Sequence, residues 1–139
     1  MRKTISMLAV MAVMVVLACG IALAAGSRVN ISTLRCDAPN NDHETLNSEY
    51  VVFKNTSGRV VRMEGFKVFD KGRIHTYRFP NNFRLRSRDS VTLYTGSGRN
   101  TSSRLYWGQG SAVWNNTGDT ATLINRNGRV LDRQSCTDR

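Results

Sequence analysis

Residues 118–136 read Gly118-Asp119-Thr120-Ala121-Thr122-Leu123-Ile124-Asn125-Arg126-Asn127-Gly128-Arg129-Val130-Leu131-Asp132-Arg133-Gln134-Ser135-Cys136. From 119 to 124 the side chains alternate, with Ala121 and Leu123 directed inward and Thr120 and Thr122 outward. A spacing of two is that of a strand with one face on a core, and not that of an amphipathic helix. Residues 125–128 form a hairpin turn in which Asn127-Gly128 supplies two residues that tolerate positive φ. Residues 129–136 return as the last strand.

The same grammar extends back through the chain. Runs of β-branched and aromatic residues occur at 29–36, 49–55, 60–63, 66–69, 74–79, 90–95, 105–107, 112–114 and 119–124. Gly, Asn, Asp and Ser separate them, as at Asn55-Thr56-Ser57-Gly58 and Asp70-Lys71-Gly72-Arg73. Residues 80–88 read as a loop that carries Phe83 and Leu85 inward. No helical period occurs after residue 25. About eight or nine short strands at this spacing predict an all-β fold, an antiparallel β-sandwich.

Residues 1–25 are of another kind. Met1-Arg2-Lys3 is basic, residues 5–23 are almost wholly apolar, and Ala22-Leu23-Ala24 is a small-x-small cleavage pattern. This is the layout of a secretory signal helix, which leaves a folded domain over 26–139. Two other outcomes stay open: an uncleaved membrane anchor, since the run is long enough to cross a bilayer, and lipidation of Cys19. Each places the domain outside the cytoplasm, secreted or attached to the envelope. Of the 3 cysteines, Cys36 and Cys136 then remain, where a disulfide is permitted. Two separate buried thiols are the alternative.

The chain has 139 residues, 20 Lys plus Arg against 10 Asp plus Glu, and 2 His. That is one domain, which leaves no room for a two-lobed enzyme and little material for His-dependent chemistry. The formal charge of +10 becomes +8 without Arg2 and Lys3, and the cations beyond residue 25 are 15 Arg and only 3 Lys. Arg84, Arg86 and Arg88 alternate within one segment, close in sequence to Arg73 and Arg78. In an extended chain alternate residues point the same way, so the three guanidiniums would form one row. Such a row suits phosphate, in nucleic acid or an anionic envelope polymer, and Tyr77, Phe79 and Phe83 would add stacking surface. The bland reading is a solvated arginine-rich surface.

Other candidates carry less. Asp37-Ala38-Pro39-Asn40-Asn41-Asp42-His43-Glu44 is rich in oxygen ligands but lacks calcium-loop spacing, so a structural turn is expected and no metal site is assigned. His43 and His75 read as surface histidines. Thr95-Gly96-Ser97-Gly98 lacks the Lys-Ser/Thr of a phosphate loop and reads as a turn. Trp107 and Trp114 read as core, and Glu49 and Asp119 as structural carboxylates. Asn30, Asn55, Asn100 and Asn115 each begin an Asn-x-Ser/Thr acceptor pattern. No catalytic set and no cofactor can be named.

The order of motifs resembles the lamin tail domain family in its bacterial secreted form. The resemblance runs over about residues 28–136. It is carried by Val29-Asn30-Ile31, Asp37-Ala38-Pro39, Asp42, Leu46-Asn47-Ser48-Glu49-Tyr50-Val51, Asn55, Met63-Glu64-Gly65-Phe66 and Val68-Phe69-Asp70. It continues through Tyr77, Phe79-Pro80, Thr95-Gly96-Ser97-Gly98, Leu105-Tyr106-Trp107-Gly108, Val113-Trp114-Asn115-Asn116, Gly118-Asp119-Thr120-Ala121, Leu123, Gly128 and Asp132. It implies an immunoglobulin-like sandwich without enzymatic activity, of a kind that in lamins is associated with DNA and protein contacts. In bacteria such domains look like extracellular modules, sometimes appended to nucleases or other secreted hydrolases. This chain carries no such catalytic domain within its length, has Phe66 where the family often shows Trp, and has Arg88 where a Gly is common. Its cysteines also depart from the usual immunoglobulin placement and suggest that the first and last strands lie side by side and parallel. The expected function is a binding module for DNA or another polyanion; the rival is a structural or protein-adhesion module that uses sheet edges or the Trp-bearing loops.

Overall fold

A computed structural model describes residues 28–36, 43–116 and 118–136. The expected signal helix and Asp37 to Asp42 lie outside the described residues. The first sheet has the order β1-β2-β7-β8, made of Val29–Arg35 (β1), Tyr50–Asn55 (β2), Ser90–Tyr94 (β7) and Arg104–Tyr106 (β8). The second has the order β10-β9-β4-β5, made of Val130–Ser135 (β10), Thr120–Ile124 (β9), Lys67–Phe69 (β4) and Thr76–Arg78 (β5). Val61–Arg62 (β3) and Arg84–Leu85 (β6) form a two-stranded ribbon. Val51, Phe53, Val91, Leu93 and Leu105 of the first sheet meet Val68, Ala121 and Leu123 of the second in one core. This is the predicted all-β sandwich.

Several local expectations change. β7 and β8 pair parallel, not antiparallel. The link between them loops back over its own strand, and a Cβ on Gly98 would collide with the Tyr106 ring. Residues 112–114 form no strand; a side chain supplies the acceptor that a ladder would, since Val113 N–H donates to Glu49 Oε2 (3.0 Å). The segment expected as a loop at 80–88 contains β6, and residues His43–Ser48 form a 3-10 helix. The hairpin at 125–128 has positive φ only at Gly128 (79°), not at Asn127. Gly128 N–H donates to Asn125 O (3.0 Å), and the register shifts between Val130 and Asp132. That is a turn closed by a glycine bulge, with Asn125 Oδ1 accepting from Asn127 N–H and Arg129 N–H. Thr122, expected outside, is 6% exposed. Its partner on β4 is Phe69, whose ring the Arg73 guanidinium covers at 4.4 Å.

The sandwich is closed along β1 and β10. These strands run in the same direction, but the ladder of each goes elsewhere, β1 to β2 and β10 to β9. Asp132 Oδ2 reaches across to accept from Ile31 N–H (2.8 Å), and a Cys36–Cys136 disulfide joins the strand ends. The expected bridge is therefore present, and the side-by-side parallel course holds as contact between two sheet edges.

Two carboxylates set the 107–119 segment. Asp119 accepts from Asn115 N–H (3.1 Å), Thr120 N–H (2.7 Å) and Lys71 N–H (3.0 Å). Glu49 is 0% exposed. Its Oε1 and the Thr95 hydroxyl are both buried without a hydrogen-bond partner among the described residues. Burial pushes the Glu49 carboxyl above its ordinary 4.5, and the bond from Val113 N–H only partly offsets this. A carboxyl with a raised folded value gives its full stabilisation below the unfolded value and loses it as pH rises through the folded one. Glu49→Gln keeps an acceptor for Val113 N–H and adds a donor for Thr95. We expect it to be more stable than the natural protein at pH 7, with the gap closing below about pH 4.5. Urea denaturation at several pH values measures this.

Asn55 fixes the ribbon to the sandwich. It is fully buried at the end of β2. Its Nδ2 donates to Arg59 O (2.7 Å), Leu85 O (3.1 Å) and Arg86 O (2.9 Å), and its Oδ1 accepts from Ser57 N–H (2.9 Å). Asn55→Ala should cost about 3 kcal/mol, because it leaves several backbone groups unpaired at once. Asn55→Asp should cost at least as much, since it turns an acceptor toward three carbonyls. Denaturation midpoints test both.

Candidate anion-binding ribbon

The ladder between β4 and β5 does not stop at their ends. Phe79 N–H donates to Phe66 O (3.1 Å) and Met63 N–H to Phe83 O (2.9 Å), so β4–β5 and β3–β6 are two parts of one interrupted antiparallel ribbon. Met63 and Leu85 bury themselves in the core. The charged neighbours of these residues consequently point outward. Arg62 lies directly opposite Arg84, and Lys67 directly opposite Arg78.

Like charges directly opposite on a sheet repel, with Cβ atoms about 4.5–5.5 Å apart. Among the described residues the one pair of basic and acidic side chains in ion-pair range is His75 with Asp70, hydrogen-bonded at 2.9 Å. None of the four ribbon cations has a carboxylate of the described residues at that range. Glu64, exposed in the turn between the two cation pairs, is the acidic residue of this stretch. The register therefore sets four cations in two like-charged cross-strand pairs along the ribbon.

The five sequence-derived arginines fall into different settings. Arg78 and Arg84 are exposed on the ribbon. Arg86 is exposed just beyond β6, with its carbonyl held by Asn55. Arg88 does not continue a row. Its φ is 64°, and its guanidinium donates to Thr56 O (2.6 Å). This is a left-handed backbone of the kind glycine adopts without strain, held here by an arginine. The turn at 86–89, closed by Asp89 N–H on Arg86 O (3.2 Å), ends the extended run on which the expected row depended. Arg73, also left-handed (φ 56°), sits in the β4–β5 turn over Phe69. Sequence reasoning missed Arg62 and Lys67, because cross-strand register and not sequence distance brings them to Arg84 and Arg78.

The expected stacking surface is absent. Tyr77 and Phe79 are buried and Phe83 packs on the core. Burial pushes the Tyr77 phenol up to about 12. The exposed-side aromatic row is elsewhere, on the outer face of the first sheet, where Tyr50, Tyr94 and Tyr106 share one register row. Their rings turn toward one another, at 5.9 Å and 5.2 Å between centroids.

The remaining candidates are structural. His75 is not simply a surface histidine, since Asp70 holds both its ring and its N–H (3.2 Å) and so pins the turn. The His43 side chain lies outside the described residues. Thr95 is buried at the end of β7, and Gly96 packs against Leu46 and Asn47. Trp114 is 2% exposed, and half-buried Trp107 meets it edge to face at 5.9 Å. Asn55 is buried as an acceptor site, whereas Asn100 is exposed and accepts from Tyr106 N–H (2.9 Å). Among the described residues no three His, Cys, Asp or Glu side chains gather as metal ligands, and no helix is long and apolar enough to cross a membrane.

The last turn before β9 is set by a few residues of the 107–119 segment and its surroundings. Trp114 fills the core, Asp119 closes the Asn115–Gly118 turn on itself, and Gly118 has φ 113°. No curated protein matches the chain. Residues 22–138 match the family model described as Lamin Tail Domain, and the chain belongs to that family.

Proposed function

We propose that this lamin tail domain is a secreted or cell-surface module without catalytic activity, which binds an extended polyanion, DNA or an anionic envelope polymer, through its cationic ribbon. The observation that carries this reading is the pair of like-charged positions set opposite each other by register, Arg62 with Arg84 and Lys67 with Arg78, without a carboxylate in ion-pair range among the described residues. A chain selected for stability alone gains nothing from that placement. Export is supported by the leader-like residues 1–25 and by the Cys36–Cys136 disulfide, a bond that persists in oxidising compartments.

The adhesion reading has one observation in its favour, the tyrosine row on the outer face of the first sheet, since tyrosine is enriched at protein contacts. Its sheet-edge version is weaker. The Arg104 and Tyr106 N–H groups of β8 are occupied by Thr101 Oγ1 (3.0 Å) and Asn100 Oδ1 (2.9 Å), while β1 and β10 close on each other.

Retention on DNA or heparin should fall steeply with salt, by a slope of about 0.7–0.9 per phosphate contacted. The double variant Arg62→Gln with Arg84→Gln should bind about ten-fold more weakly at low salt and reduce the slope by about two contacts. Salt-independent binding, or an unchanged slope in the variant, would overturn the assignment. Arg84→Gln alone should raise stability by about 0.2–1 kcal/mol at low salt, as cross-strand repulsion is removed, and by less at high salt. Thermal melts at two ionic strengths measure it.

A further inference from the structure

Among the described residues, the two large apolar side chains most exposed to water stand at the two ends of the same ribbon. Ile74 is 81% exposed and Val60 is 53% exposed. Val60 immediately precedes β3, between Arg59 and Arg62, and Ile74 lies in the β4–β5 turn beside Lys71 and Arg73. The exposure of Ile74 is not that of a frayed end. Asp70 N–H donates to His75 O (3.3 Å), His75 N–H to Asp70 Oδ1 (3.2 Å) and Arg73 N–H to Asp70 O (3.0 Å). Lys71 N–H is held by Asp119 Oδ1 (3.0 Å), and Arg73 stacks on Phe69. The turn is thus pinned at its base from both sheet strands and from the 107–119 segment. Gly72 beside Ile74 lacks a side chain, and a Cβ there would already lie 3.3 Å from Ile74 Cγ1.

A dissolved polyanion neutralises cations but has no use for a rigidly displayed isoleucine. An anionic bilayer uses both features, since its headgroups attract Lys and Arg within a Debye length and its interface takes up apolar side chains. We infer that the ribbon docks on an anionic phospholipid surface, with Lys71, Arg73, Lys67 and Arg78 against the headgroups and Ile74 inserted at the interface, Val60 serving as a second apolar contact. This rests on the reading of the ribbon as an anion-binding surface, and takes the anion to be the headgroup layer of a phospholipid membrane in place of a dissolved polymer.

The test is co-sedimentation of the natural protein with vesicles of phosphatidylcholine alone and of phosphatidylcholine with phosphatidylglycerol, alongside retention on heparin. Binding should be at least about ten-fold stronger to the anionic vesicles. Ile74→Ser, a surface change that leaves the fold intact, should weaken vesicle binding about ten-fold and leave heparin retention unchanged. Heparin retention without vesicle binding, or vesicle binding indifferent to Ile74→Ser, overturns the membrane inference and leaves the ribbon reading standing. Binding to neither overturns the ribbon reading itself.

Discussion

Asn55 ends β2 without exposure to solvent, and its carboxamide gathers the carbonyls of Arg59, Leu85 and Arg86. Its own N–H donates to Asp89 O (2.9 Å). One side chain thereby holds the loop after β2, the end of β6 and the turn into β7 in a single place. The orientation of the cationic ribbon relative to the first sheet follows from that. A hydrophobic core alone is non-directional and would tolerate many placements of a two-stranded ribbon. Hydrogen bonds to a buried amide do not, because an unpaired buried carbonyl costs more than a well-made bond contributes.

Around this anchor the molecule separates its charges by role. The described carboxylates that are buried, Glu49, Asp70 and Asp119, serve backbone N–H groups. Half-buried Asp132 does the same for Ile31. Acidic groups are thus consumed in holding loops and sheet edges, and the arginines are left without them on the outside. The positive surface is a consequence of where the acids are used as well as of composition.

Much of the fold was legible along the chain. Alternation at 90–94 and 119–124 marks strands whose inner residues are Val91, Leu93, Ala121 and Leu123, and all of these are buried. Alternation at 50–55 left both faces looking covered, whereas of its apolar residues only Val51 and Phe53 prove buried, with Tyr50 and Val52 half-exposed. The cysteines at either end of the domain pair as expected. The failures share a cause. The 112–114 segment has strand-like residues, yet Glu49, 64 positions from Val113, supplies its acceptor in place of a neighbouring strand. Thr122 alternates outward, yet Phe69 and Arg73 cover its neighbourhood from another strand. Arg88 looks like the third member of a row, yet a left-handed turn removes it.

The sequence by itself determined the class of the fold, the sandwich strands with clear alternation and the excess of arginine, because strand periodicity and composition are local properties. The joining of Cys36 to Cys136, by contrast, came from the meeting of two sheet edges. Only the tertiary structure decided which cations meet. Arg62 and Arg84 are brought opposite each other, as are Lys67 and Arg78, by antiparallel register across an interrupted ribbon. Register depends on which faces are buried and on the irregular residues between the two ladders, and neither is written in the spacing of the arginines.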